Sequence, residues 1–169
     1  MSLKNKKILN EILKDFEDFA KMRGINYPPI YFLGGSGAIL GNYLDRATLD
    51  IDFLDMDYSS KIGKLFKLFD EYDMLDLYLT TISLSFRTRA KKLKGFSNIF
   101  VLSREDIIVS KIGRYSEKDI EDIALLIVDS DRQLINALIN EVNERRNISS
   151  IVLEEFRKRV IQFKDDFNV

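Results

Sequence analysis

The sequence predicts an α/β (α+β) fold: a mixed β-sheet core flanked by helices, with a C-terminal helical portion. Three observations carry this. The stretch Tyr31-Phe-Leu-Gly-Gly-Ser-Gly-Ala-Ile-Leu-Gly-Asn-Tyr-Leu-Asp-Arg-Ala-Thr-Leu-Asp-Ile-Asp-Phe-Leu54 runs from an apolar segment through a small-residue corner into alternating apolar and acidic positions, the pattern of strand, turn, helix and strand. Residues 3–23 and everything after residue 103 repeat apolar side chains at helical spacing. Apolar residues make up 46% of 169, with 12 Phe and 7 Tyr, enough to fill the core of a single domain covering residues 1–169. Within it, about 1–102 form the α/β core and about 103–169 the helices packed on it.

In chain order, Ile8, Leu9, Ile12, Leu13, Phe16, Phe19 and Ala20 form the stripe of a first amphipathic helix, which Gly24 stops. Packing on the sheet or binding a partner both suit that stripe. Pro28 and Pro29 stiffen the approach to a strand beginning near Ile30. A short helix is expected over about 36–44. A strand through Leu49-Asp-Ile-Asp-Phe53 follows, then a helix from Ser59 or Ser60 to about Tyr72 with Ile62, Leu65, Phe66 and Phe69 inside. Residues 74–87 read as extended with a break near Thr80, and residues 96–102 as a further strand. Ser103-Arg-Glu-Asp106 and Ser116-Glu-Lys-Asp119 are two capping boxes, each opening a helix, with Gly113 between them. Two more amphipathic helices fill residues 131–147 and 149–167.

Charge and composition narrow the function. A net charge of −1 argues against non-specific coating of nucleic acid, which takes a marked basic excess. With no cysteine and no histidine, thiolate chemistry, a histidine base and the usual zinc ligand sets are excluded, and any metal must be held by oxygen. No apolar run approaches the length of a membrane span, so the default expectation is a cytoplasmic protein without a membrane partner.

The acids carry the chemistry. In a strand Leu49, Ile51 and Phe53 face one way and Asp50 and Asp52 the other, their Cβ atoms roughly 6 to 7 Å apart. Two carboxylates on one face need a cation or open water. Mg²⁺ suits them, taking one or two carboxylates and completing its shell with water and substrate phosphates. Two such ions would clamp both oxygens of a phosphoryl displacement. Gly34, Gly35 and Ser36 supply the other half: backbone able to approach a phosphate, with N–H groups and a hydroxyl for the anion. Arg46 lies close to the acids in sequence and fits a triphosphate contact, a contact to the Asp pair, or a surface loop. Arg87-Thr-Arg-Ala-Lys-Lys-Leu-Lys94 is either a solvated hairpin or a phosphate-contacting edge for a nucleotide or an RNA end.

Gly34-Gly35-Ser36, about a dozen residues, then Asp50-Ile51-Asp52 resembles the signature of the DNA polymerase β-like nucleotidyltransferase superfamily. The Arg46-x-Thr-x-Asp-Ile-Asp lead-in is similar to the branch that includes the AbiEii-type toxin nucleotidyltransferases and related uncharacterised bacterial domains. Lys111, Arg114 and Lys118-Asp119-x-x-Asp122 extend the likeness to roughly residues 30–129. The resemblance implies a nucleotidyltransferase-like sheet core and a Mg²⁺- or Mn²⁺-dependent transfer of a nucleotide from a nucleoside triphosphate to an acceptor, RNA or tRNA by analogy with the toxins. It implies metal on Asp50 and Asp52, and a third carboxylate on the next strand, for which Asp76 is the candidate. Lys111 would then contact the nucleotide phosphates and Asp119 would assist catalysis. Physics offers a plain role for each: Asp119 caps its helix, and Lys111 snorkels over an apolar face. The alternative function is a catalytically inactive scaffold that binds nucleotide or a protein partner, as one member of a toxin-antitoxin pair.

Overall fold

The computed structural model describes residues 2–169 and has the expected mixed α/β architecture. Five strands form one sheet in the order β3-β2-β1-β5-β4: β1 (Ile30–Leu33), β2 (Ile51–Asp55), β3 (Tyr72–Asp76), β4 (Lys91–Lys92) and β5 (Ile99–Val101). β1 runs antiparallel to β2 and parallel to β5, and β4 antiparallel to β5. Among the described residues seven α-helices accompany them: α1 (Lys6–Met22), α2 (Gly34–Leu40), α3 (Ser60–Gly63), α4 (Arg104–Ile112), α5 (Glu117–Leu126), α6 (Arg132–Asn143) and α7 (Ser150–Phe167). The chain forms two compact units, one reaching to Leu75 and including Ala90–Val101, the other made of Asp76–Arg89 and Leu102–Val169.

In the sheet unit, α1 starts at the Asn5 side chain, which accepts from the N–H of Ile8, and ends as Gly24 turns left-handed at φ 62°. Its buried stripe runs through Leu9, Leu13, Phe16 and Ala20, and Phe16 stacks on Phe69 at 5.0 Å and meets Tyr27 edge-on at 5.0 Å. Phe53 of β2 packs on Phe66 at 4.7 Å and Phe32 of β1 on Phe69 at 5.9 Å, so one aromatic cluster covers this face of the sheet.

Three expectations are revised here. The helix after β1 spans Gly34–Leu40 rather than 36–44: the strand turns directly into helix at Gly34, with no intervening turn. The helix expected from Ser59 to Tyr72 is one turn of α3 followed by a 3₁₀ stretch, Leu65–Phe69, because Phe66 and Phe69 must both reach the aromatic cluster and Asp70 then breaks the helix at φ 64°. The extended reading of 74–87 holds only to Asp76. Beyond it come a turn and a 3₁₀ helix, Leu84–Thr88.

In the helical unit, Ser103 and Ser116 cap α4 and α5 as expected, the second as a full capping box with Asp119. α4 packs against α5, α6 and α7, with Ile107, Ile112, Ile123, Leu138 and Phe156 sealed inside. The segment after β3 is stitched to these helices by polar contacts. Arg145 donates to the carbonyls of Leu77 (2.7 Å), Thr80 (2.7 Å) and Ile82 (3.0 Å), and the Arg89 fork holds the buried Asp106 at 2.8 and 2.9 Å.

Candidate active site

In the sheet unit, Asp52 lies against Gly34, and Arg46 and Thr48 against Gly35. β1 is buried throughout, so its end is fixed, and Gly34 follows at φ 62°, a conformation that disfavours a side chain. A Cβ there would run into the carboxylate of Asp52. A Cβ on Gly35 would meet Nη2 of Arg46 at 3.0 Å and Oγ1 of Thr48 at 3.1 Å. The two glycines therefore form a floor over which Asp52, Arg46 and Thr48 lie.

The register sets Asp52 opposite Leu33 and Phe53 opposite Phe32. Ile51 and Phe53 are buried, Asp52 is half-buried and Asp50, just before the strand, is exposed, in keeping with the alternation. Ser36 is fully buried, and its Oγ accepts the N–H of Asp52 at 2.9 Å and donates toward the carbonyl of Leu33 at 3.3 Å. Its hydroxyl ties β2 to the corner and is committed to backbone. Arg46 donates to the carbonyl of Ala47 at 2.7 Å. The loop carrying it is held by Lys4, whose backbone pairs with Thr48 (2.7 and 3.0 Å) and whose buried ammonium donates to the carbonyl of Leu49 at 2.6 Å. Thr48 and Lys4 are not among the residues that sequence reasoning singles out. The threonine stands in the lead-in to the acids, but nothing local marks a lysine 44 residues earlier as its bridge partner.

The helical unit gathers Lys111, Asp119 and Asp122, which are 3%, 1% and 3% exposed. The Lys111 ammonium lies 3.1 Å from Asp119 and 2.8 Å from Asp122, and the exposed Arg114 adds a contact to Asp119 at 3.0 Å. Burial alone would raise the Asp119 carboxyl. The Lys111 charge, the Ser116 hydroxyl and Arg114 outweigh it and hold the group below its ordinary value. Asp76 is exposed, and its Oδ1 accepts the N–H of Tyr78 at 2.7 Å, closing the turn after β3.

Among the described residues no group of three or more acids is arranged to hold a metal ion. The Asp52 carboxylate lies against the side-chain-free glycine floor and the exposed Asp50 stands two residues before it; both offer only oxygen, the donor type that a hard divalent cation takes.

The family model described as "Nucleotidyltransferase of unknown function (DUF6036)" matches residues 9–168, and the chain belongs to that family. No curated protein and no solved structure matches the chain. No helix among the described residues is long and apolar enough to cross a membrane.

Proposed function

We propose that the protein transfers a nucleotide from a nucleoside triphosphate to an acceptor hydroxyl or phosphate, RNA or tRNA being the acceptor class the resemblance favours. The observation that carries the reading is the contact of the Asp52 carboxylate with Gly34, which leaves no room for a side chain. Asp50 and Asp52 would hold Mg²⁺ or Mn²⁺, which would supply charge neutralisation at the transferring phosphoryl group. Gly34 and Gly35 keep the floor open to the triphosphate, and Arg46 lies beside Gly35, where its planar, permanently charged fork suits phosphate oxygens. Ser36 acts through Asp52, fixing the strand that carries it. The acceptor oxygen bonds to the α-phosphorus, the bond from that phosphorus to its bridging oxygen breaks, pyrophosphate leaves with the electron pair, and the acceptor proton passes to water. Preorganised charge lowers the barrier. Lys111 and Asp119, given phosphate and acceptor roles by the resemblance, are engaged with each other in a buried cluster, and we assign them the shape of the helical unit.

The test is label transfer from each nucleoside triphosphate to total RNA, with Mg²⁺ or Mn²⁺, by wild type and Asp52→Asn. Transfer abolished in the variant supports the enzyme; equal transfer by both refutes the site. A second reading, an inactive scaffold that binds nucleotide or a toxin-antitoxin partner, is favoured by the lack of a three-acid cluster among the described residues. Metal-dependent nucleotide binding without transfer by wild type would establish it.

A further inference from the structure

Residues 90–101, which form β4, its turn and β5, contain Lys91, Lys92 and Lys94 and no acid, in a chain whose other residues carry a net charge of −4. All three lysines are exposed, and among the described residues no carboxylate pairs with any of them. The Lys91 ammonium sits instead over the ring of Tyr43, 5.8 Å from its centroid. β4 ends the sheet at one edge, so its lysines project where no further strand covers them.

The register connects this edge to Asp52. Lys92 pairs with Phe100, Phe100 with Tyr31, and Leu33, two residues on from Tyr31, with Asp52. Paired residues point to one face, as do alternate residues of one strand, so Lys92, Phe100, Tyr31, Leu33 and Asp52 share a face. The rings of Tyr31 and Phe100, 5.3 Å apart, agree with this. Three strand spacings separate β4 from β2, about 14 Å. Tyr31 and Leu33 are themselves buried, so an acceptor passes over the side chains that cover them; several nucleotides of a single strand span that distance, whereas a triphosphate held at Asp50 and Asp52 does not by itself bring its phosphates to β4.

We propose that the β4 edge, Lys91, Lys92 and Lys94 with the half-buried Phe100 beside them, docks the phosphate backbone of a single-stranded nucleic-acid acceptor and delivers its end to the Asp50 and Asp52 face. The proposal rests on the nucleotidyl-transfer reading for the acceptor's role, but the docking itself does not. Exposed ammonium groups along a sheet edge, Lys92 on the Phe100 face and Lys91 on the other, suit a repeating phosphate that wraps the edge, and the half-exposed Phe100 ring beside Lys92 offers a stacking surface that any base can use.

The experiment measures binding of fluorescein-labelled 15-nucleotide single-stranded RNA and DNA of one sequence, and of a labelled polyglutamate peptide, by anisotropy from 50 to 300 mM KCl. It compares wild type, the triple variant Lys91→Glu, Lys92→Glu, Lys94→Glu, the corresponding triple glutamine variant, and Asp52→Asn. Circular dichroism checks that each variant is folded. The expected result is salt-sensitive binding of an oligonucleotide by wild type and by Asp52→Asn. Binding should weaken at least tenfold in both triple variants, and the salt slope of the glutamine variant should fall by about 2, each phosphate that a lysine no longer neutralises removing about 0.7. Nucleoside triphosphate binding should be unchanged in the triple variants. RNA and DNA bound equally would mark a backbone reader, and RNA alone a reader of the 2′-hydroxyl; either is a single-stranded acceptor. No oligonucleotide binding by wild type, equal binding by the triple variants, polyglutamate bound as well as the oligonucleotides, or abolished triphosphate binding in the triple variants each overturns the proposal. Salt-sensitive oligonucleotide binding with no label transfer by wild type would instead sink the enzymatic reading and leave the docking edge standing.

Discussion

Replacing Lys111 by methionine separates a structural role from a catalytic one. The side chain is nearly the same length and equally able to fill its space, so the loss is of charge. Two carboxylates, 1% and 3% exposed, would be left without the ammonium that lies 3.1 and 2.8 Å from them. Arg114 offers little replacement, being mostly solvent-exposed and worth below about 1 kcal/mol as a surface partner. Breaking a buried ion pair from one side costs about 3–5 kcal/mol, because the remaining charge is stranded. At a urea slope of about 2 kcal/mol per molar, the midpoint should fall by about 2 M. Neutralising the partners as well, in Lys111→Met with Asp119→Asn and Asp122→Asn, should restore most of the stability, since asparagine keeps an acceptor for the Ser116 cap and no charge is stranded. The assay is urea unfolding followed by circular dichroism at pH 7, alongside label transfer. A midpoint drop below about 0.5 M for Lys111→Met, with transfer abolished, would refute the argument: the ammonium would then act on substrate and not on its neighbours.

Three further outcomes are expected. Gly24 and Gly34 share φ 62°, but a Cβ meets nothing within 4 Å at Gly24 and the Asp52 carboxylate at Gly34. Gly24→Ala should therefore cost about 1–2 kcal/mol with transfer intact, and Gly34→Ala should cost more in urea unfolding and abolish transfer. Arg145→Met should cost about 3 kcal/mol by removing the donor to three carbonyls of residues 77–82, with limited proteolysis newly cutting there, and Arg145→Lys should fail to rescue because one ammonium cannot reproduce the fork. Burial alone would raise the Glu17 carboxyl, but hydrogen bonds from Ser97 and Tyr27 and the Lys21 charge hold it below 4.5. A depressed folded value means that its stabilisation is present above the unfolded pKa and is lost as pH falls through the folded one. Urea midpoints measured from pH 6 to pH 3 should fall less steeply for Glu17→Gln than for wild type.

The features readable in advance were those with local causes. The stripe of α1, its glycine stop and the serine caps of α4 and α5 each depend on residues within one or two turns, and the strand-corner-strand pattern placed Gly34 beside Asp52 through β-pairing of neighbours in sequence. The features that were not readable depend on distant partners. Leu75-Asp-Leu77 alternates like a strand, yet the chain turns there because Asp76 accepts from Tyr78 and Arg145 collects the following carbonyls from more than 60 residues away. The 3₁₀ stretch from Leu65 to Phe69 has a spacing that serves an α-helix equally well, and only the aromatic cluster decides between them. At the site, Ser36 was visible as a hydroxyl beside glycines, but its use depends on the N–H of Asp52, 16 residues on. Lys111 and Asp119 were both visible, while their pairing follows from the turn through Tyr115, left-handed at φ 51°, between the packed helices α4 and α5.

The route of the chain constrains how the protein can be made. Residues 76–89 leave the sheet, take Arg145 and Glu141 as partners, and the chain then returns to add β4 and β5. During synthesis the carbonyls of residues 77–82 emerge some 60 positions before the guanidinium that satisfies them, so this loop must wait until α6 has been translated. No single cut separates the halves: a fragment ending at residue 101 carries the loop without its partners, and one starting at residue 102 carries the partners without the loop. Expressing either half alone should give a chain prone to aggregate, whereas mixing the two fragments should restore a folded complex.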